Sequence, residues 1–95
     1  MVTYETIYIA DPNLAENKVG EINTKVTEII KRFDGKVNNL DDWGNRKLGY
    51  KINKQTIGHY IYINYSAKPG VVSELERTLQ LRDDVLKQMT IRVVQ

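Results

Sequence analysis

The sequence predicts an α+β domain in which four antiparallel strands, in the order β-α-β-β-α-β, carry both helices on one face of the sheet. Three observations lead there. Runs rich in Tyr, Thr and Ile at residues 2–10 and 59–65 have the composition and alternation of strands. The residues after Pro12 and after Gly70 instead space their apolar side chains by three and four, the period of a helix with one buried stripe. Asp11-Pro12-Asn13, Asp34-Gly35 and Lys68-Pro69-Gly70 fall between these runs, where chain breakers belong.

The first strand ends at Asp11-Pro12-Asn13, and Asn13 and Glu16 have the spacing of a capping box for the helix that follows. Ala15, Val19, Ile22, Val26, Ile29 and Phe33 form its apolar stripe, Gly20 suggests close packing, and Asp34-Gly35 stops it. A second strand begins at Val37–Leu40 and resumes at Leu48-Tyr50-Ile52 after an Asp-Asp-Trp-Gly-Asn interruption. Val37 and Leu40 are out of phase, so a bulge or bend is expected between the segments. Asn53–Gly58 reads as a polar turn and His59–Tyr65 as the third strand. A helix with Val72, Leu75 and Leu79 inward fades near Arg82-Asp83, and Met89–Val94 closes the chain as the last strand. This order is the ferredoxin-like split βαβ arrangement, a single domain over residues 1–95.

Ninety-five residues suffice for one modest core. The absence of cysteine excludes disulfides, thiolate metal sites and a Cys nucleophile, and fits a reducing compartment. No apolar run approaches a membrane span, and Met1 leads directly into strand-like sequence, so the expected location is cytoplasmic. Charge is unevenly spread. From Lys36 to Lys54 five cations face two anions, whereas Val71–Asp84 carries four anions against two cations. Basicity concentrated on the strands suits an anionic partner that meets the sheet or its edge.

Within the basic region, Trp43-Gly44-Asn45-Arg46-Lys47-Leu48-Gly49-Tyr50-Lys51-Ile52-Asn53 joins a turn to two adjacent cations and then to alternating Leu48, Tyr50 and Ile52. That pattern presents Arg46 and Lys47 on a hairpin arm anchored in the core, as phosphate recognition requires. The bland use of the same pattern is a basic edge that resists aggregation.

One sheet face meets the helices and the other starts uncovered. Burying Glu5 unpaired would be costly, so Tyr4, Thr6, Tyr8 and Ala10 are placed inward and Glu5, Ile7 and Ile9 outward. In the third strand Ile61, Ile63 and Tyr65 go inward, leaving Tyr60, Tyr62 and Asn64 outward. The open face is thereby more apolar than a solvated surface, which suggests a partner.

Catalytic constellations are absent from the pattern. His59 is the single histidine and has no Ser or Cys partner at recognisable spacing, so a structural role is expected. Adjacent carboxylates at Asp41-Asp42 and Asp83-Asp84 point to opposite faces of a strand and suit turns or caps. An acylphosphatase-like anion loop is missing after the first strand, and no zinc, P-loop or dinucleotide motif occurs. No cofactor, metal or small-molecule substrate is expected. RNA binding remains open in two modes: base stacking on the open face by Tyr60 and Tyr62, as in an RRM, or phosphate contact through Arg46, Lys47 and neighbouring cations. The Ile57–Ile63 run lacks the basic start and aromatic spacing of the RRM octapeptide. A self-associating regulatory domain of the same fold is the non-RNA alternative.

Gly44-x-Arg46-Lys47-Leu48-x-Tyr50-x-Ile52 resembles the signature of the bacterial small-subunit ribosomal protein six family. Tyr4-Glu5, Pro12-Asn13, Trp43-Gly44, Arg82-Asp83 with Val85, and a basic final strand extend the resemblance over almost the whole chain. Gly49 stands where Ala or Ser is usual, and many members continue into a polar tail beyond the position of Gln95, which would leave less surface here for a protein partner. The resemblance implies a non-catalytic component that binds small-subunit (16S-type) ribosomal RNA as a heterodimer with small-subunit ribosomal protein eighteen. It assigns Arg46 and Lys47 as phosphate contacts, with Lys54, Lys87 and Arg92 beside them. Ile7, Ile9, Tyr60 and Tyr62 of the open face are the expected protein interface, Trp43 is expected to anchor either the hairpin or that interface, and Leu48, Tyr50 and Ile52 are expected core residues that position the arm.

Overall fold

Alternation along β1 (Val2–Ala10) puts Tyr4, Thr6, Tyr8 and Ala10 on one face, and all four are buried. The computed structural model describes residues 1–93; Val94, the expected end of the last strand, and Gln95 lie outside the described residues. The other elements are α1 (Glu16–Arg32), β2 (Lys36–Ile52), β3 (Gln55–Ala67), α2 (Val71–Gln80) and β4 (Val85–Arg92). The strands form one antiparallel sheet in the order β2-β3-β1-β4, so β1 and β3, which lead into α1 and α2, are central and β2 and β4 are the edges, as the split βαβ topology requires.

The core lies between one sheet face and the two helices. Ile61, Ile63 and Tyr65 of β3 join the inward residues of β1, and Val19, Ile22, Val26, Ile29 and Ile30 of α1 with Val71, Leu75 and Leu79 of α2 close over them. Thr6 and Tyr8 in this layer are satisfied, whereas Gln88 Oε1, opposite Tyr8 on β4, is buried without a hydrogen-bond partner. Thr6 Oγ1 bonds the Tyr65 hydroxyl at 2.8 Å and Thr90 Oγ1 at 2.7 Å, and Tyr8 donates to Asn23 Oδ1 at 2.5 Å. Burial drives the Tyr8 phenol well above its usual range.

Several local expectations change. Helix α1 starts at Glu16 with Ala15 as its uncapped N-cap residue, and Asn13 gives its backbone N–H to Asp11 Oδ1 at 2.9 Å in a local turn. The capping box is therefore not formed. Gly20 faces open space, while Gly35 is the tightly packed glycine: a Cβ there would stand 2.5 Å from the Ser66 carbonyl oxygen. β2 runs unbroken through Asp41–Asn45, because bulges between Val37 and Asn39 and between Asp42 and Gly44 absorb the phase errors that read as an interruption. The polar turn shrinks to Asn53 and Lys54, both with positive φ (49° and 68°), and β3 begins at Gln55. β4 begins at Val85 rather than Met89, since Val85 and Lys87 still pair with Ala10 and Ile9 of β1.

Candidate nucleic-acid and protein interface

The ladder registers place Glu5, Ile7 and Ile9 of β1, Tyr60, Tyr62 and Asn64 of β3, and Lys87, Met89 and Ile91 of β4 together on the open face. β2 reaches this face in two ways. At its second bulge, Gly44 takes φ 74° and Trp43 is turned flat onto Tyr62, with ring centroids 5.3 Å apart and planes 5° from parallel. The Tyr62 hydroxyl donates to the Glu5 carboxylate, and that bond holds the phenol above its ordinary range. The Arg46 guanidinium also lies over the Trp43 ring, 5.1 Å from its centre.

Farther out, the pairing jumps from Lys47↔Ile57 to Ile52↔Gln55, leaving residues 48–51 opposite Thr56 alone. This surplus bends the arm across the open face. Leu48 and Ile9 both close on Gly58, where an added Cβ would stand 3.1 and 2.2 Å from their methyl carbons. Tyr50 reaches the opposite edge of the sheet, where Lys87 of β4 donates a hydrogen bond to its hydroxyl. A groove of about 200 Å³ remains beneath, lined by Ile9, Leu48, Tyr50, Ile52, Tyr60 and Met89.

Two placements from sequence are corrected here. Leu48, Tyr50 and Ile52 are not core residues: Leu48 and Ile52 are half-buried and Tyr50 is 62% exposed, because this part of the hairpin lies across the open face, away from the helix-side core. Ile9 offers little free surface, at 3% exposure, because the arm lies over it. Ile7, Tyr60 and Tyr62 are half-buried on the open face and Trp43 is 37% exposed.

The cations divide by their partners. Lys18, Arg32, Lys68 and Arg77, on or beside the helices, pair with Glu21, Glu74, Asp34 and Glu74 respectively, while Lys25 and Lys31 of α1 and Lys36 at the start of β2 are exposed without a carboxylate partner among the described residues. Arg46, Lys47, Lys51, Lys54 and Lys87 are exposed and have no carboxylate partner among the described residues. Lys54 occupies the hairpin turn itself. Arg92 stands apart from this group. It pairs with Tyr4 across the ladder, which directs it to the helix-side face, near Met1, Val2 and Val93.

The acidic residues stabilise turns. Asp42 Oδ1 accepts from the Gly44 N–H at 2.8 Å and lies 2.6 Å from His59 Nε2, fastening the second bulge to β3. Asp41 accepts from Asn39 at 3.1 Å, and Asp84 receives a two-pronged contact from Arg82 at 2.9 and 2.8 Å. Among the described residues, no group of three or more His, Asp or Glu side chains is arranged to hold a metal ion, and no helix is long and apolar enough to cross a membrane.

Sequence reasoning missed Tyr50 as a surface residue and Glu5 as the partner of Tyr62. The signal for the second was present in Glu5 itself, an acid set outward among isoleucines and tyrosines.

Comparison with known proteins agrees with this geometry. A family model described as ribosomal protein S6 matches residues 3–92. The small ribosomal subunit protein bS6 of Alkaliphilus oremlandii is 42% identical over 93 residues, covering 98% of each chain. Its counterpart from Geobacter sp. (strain M21) is 39% identical over 90 residues, 95% of this chain and 67% of its own length. The crystal structure of the 30S ribosomal protein S6 from Thermotoga maritima superposes with a TM-score of 0.88 at 27% identity, covering 97% of this chain and 87% of that one.

Proposed function

Because this chain belongs to the ribosomal protein S6 family, we propose that it enters the small ribosomal subunit by binding small-subunit (16S-type) ribosomal RNA together with small-subunit ribosomal protein eighteen. A member of this family is a structural, non-catalytic constituent of the small subunit of the cytoplasmic ribosome. The observation that carries the finer reading is the partition of charge. Lys18, Arg32, Lys68 and Arg77 on or beside the helices have carboxylate partners, although Lys25 and Lys31 of α1 do not, whereas Arg46, Lys47, Lys54 and Lys87 gather on the arm and open face with no carboxylate partner among the described residues. Such cations gain most from phosphate, since each phosphate neutralised releases a condensed counterion.

Arg46 is the best prepared of them. Stacking on Trp43 holds its planar guanidinium in place, so less rotamer freedom is lost when it meets a phosphate. Lys47, Lys54 and Lys87 add charge, and Arg92 serves a separate contact on the other face. The protein partner covers the apolar middle of the open face, formed by Trp43, Tyr62, Tyr60 and Ile7 above the buried Ile9. Base stacking of the RRM kind on Tyr62 is disfavoured, because Trp43 already occupies that ring.

Coupled binding follows: the protein partner hides apolar surface while the pair presents one basic surface to folded RNA. The test is a double variant, Arg46→Ala with Lys47→Ala. RNA affinity should fall and the slope of log K against log salt should shrink by roughly 0.7–0.9 per lost phosphate contact. Heterodimer formation should stay near normal. Unchanged RNA affinity at matched salt would overturn the assignment.

A further inference from the structure

Tyr50 is the one aromatic ring that the arm carries over the sheet and leaves largely uncovered, with 62% of the residue exposed. A ring left in solvent is available to a ligand, and its neighbours suggest which kind. Lys47, Lys51 and Lys54 lie on the same arm within four residues of it, all exposed, with no carboxylate partner among the described residues.

Its tether is informative. Lys87 Nζ donates to the Tyr50 hydroxyl, yet stands 5.1 Å from the ring centre. A nitrogen that touches the phenolic oxygen and is still that far from the centre lies out along the edge of the ring, not above its face. The contact is thus an edge-on hydrogen bond more than a cation–π interaction. It fixes the direction of the ring while leaving ring face open to solvent. The same bond brings Lys87 from β4 beside the arm, adding a charge from the opposite edge of the sheet.

An oriented, solvent-facing ring among unpaired cations is the arrangement that holds an unstacked base between its flanking phosphates. We propose that Tyr50 is a stacking platform for one unpaired RNA base, a looped-out or bulged nucleotide, with Lys87 orienting the ring and Lys51 and Lys54 receiving adjacent phosphates. This deepens the RNA-binding reading and rests on it. It assigns to Tyr50 a contact different in kind from those of Arg46 and Lys47. Stacking releases few counterions, so it should contribute affinity without contributing to the salt slope.

The experiment compares Tyr50→Ala, Tyr50→Phe and Tyr50→Trp in binding to small-subunit ribosomal RNA with the protein partner present, over a range of salt. Tyr50→Ala should weaken binding by roughly 5- to 100-fold, the range of one base–aromatic stack, with the salt slope unchanged. Tyr50→Trp should bind at least as well as the parent, and Tyr50→Phe should lose less than Tyr50→Ala. A 2-aminopurine placed at the unpaired position should be quenched by the parent and not by Tyr50→Ala. If Tyr50→Ala binds RNA as tightly as the parent while the Arg46, Lys47 variant does not, the stacking site is wrong and the phosphate reading stands. If neither variant weakens binding, both fail. If Tyr50→Ala weakens only heterodimer formation, the ring belongs to the protein interface and the inference is overturned.

Discussion

Trp43 lies flat on Tyr62, 5.3 Å between ring centroids, although the ladder partner of Tyr62 on β2 is Asp41. The bulge between Asp42 and Gly44 makes this possible by placing an extra residue on β2 and turning it over the sheet. Asp42 holds the bulge in shape through the Gly44 N–H and His59, so the stack depends on a polar clamp around it.

Trp43→Ala removes both the stack and the platform under Arg46. An aromatic pair adds about 0.5–1.5 kcal/mol beyond its area, and the half-covered indole adds burial to that. The expected loss is roughly 1–2 kcal/mol of stability in urea unfolding. Weaker heterodimer formation should accompany it. A variant as stable as the parent would show that the stack is incidental.

Gly58→Ala tests how closely the arm is seated. The new Cβ would lie 2.2 Å from Ile9 Cγ2 and 3.1 Å from Leu48 Cδ2, and Gly58 is buried. Ile9 must shift in the sheet, and Leu48 must give by a few tenths of an ångström or lift with the arm. Overpacking of this kind costs about 1–3 kcal/mol. Amide and methyl chemical shifts should move at Leu48, Tyr50 and Lys87 if the arm lifts, and mainly in β1 if the arm stays seated. No loss of stability and no shift changes would mean that Ile9 and Leu48 do not close on Gly58 in solution.

These contacts mark the limit of what residue spacing reveals. Alternation correctly separated Tyr4, Thr6, Tyr8 and Ala10 from Glu5, Ile7 and Ile9, since burying Glu5 unpaired was prohibitive. The same alternation at Leu48, Tyr50 and Ile52 reads as a core strand but is not one. Period two says which side chains share a face, and nothing about what covers that face. Helix limits were legible at Asp34-Gly35 and Pro69-Gly70, whereas the Asn13–Glu16 capping box lost to a shorter-range bond from Asn13 to Asp11. Arg46, Lys47 and Lys54 were legible as part of a basic stretch, whereas Lys87 joins them only through the sheet. Their lack of carboxylate partners among the described residues, and the position of Arg92 on the other face, depend on register and required the ladder itself.

Acid should loosen the junction between α2 and β4. The Arg82 guanidinium, bonded to both oxygens of Asp84, holds that carboxyl below the ordinary carboxylate range. A carboxyl whose pKa is lower in the folded chain contributes stability that is present above its unfolded value, near about 4. That contribution is lost as pH falls through the lower folded value. Asp84→Asn should therefore be less stable than the parent at pH 7, and the difference should shrink as the pH is taken below about 3, read from urea midpoints at each pH. A difference that is constant across this range would show that the pair contributes through neutral hydrogen bonding alone.

At the hairpin tip, stability and binding should respond in opposite directions. Asn53 and Lys54 form a two-residue turn with φ of 49° and 68° between the paired residues Ile52 and Gln55. Such turns favour Asn followed by Gly, because a side chain at positive φ crowds the backbone. Lys54 therefore occupies a position better suited to glycine, and it carries an exposed charge to the end of the arm. Lys54→Gly should raise stability by about 0.5–1 kcal/mol, visible as a higher urea midpoint with unchanged slope. The same variant should weaken RNA binding at low salt and reduce the salt slope by less than about one unit, as loss of a single phosphate contact requires. Lys54→Asn separates the two effects, since asparagine tolerates positive φ but has no charge. It should share the loss of binding and recover only part of the gain in stability. If both variants bind RNA with the parent's affinity and slope, Lys54 does not touch phosphate, and the strained turn calls for a different explanation.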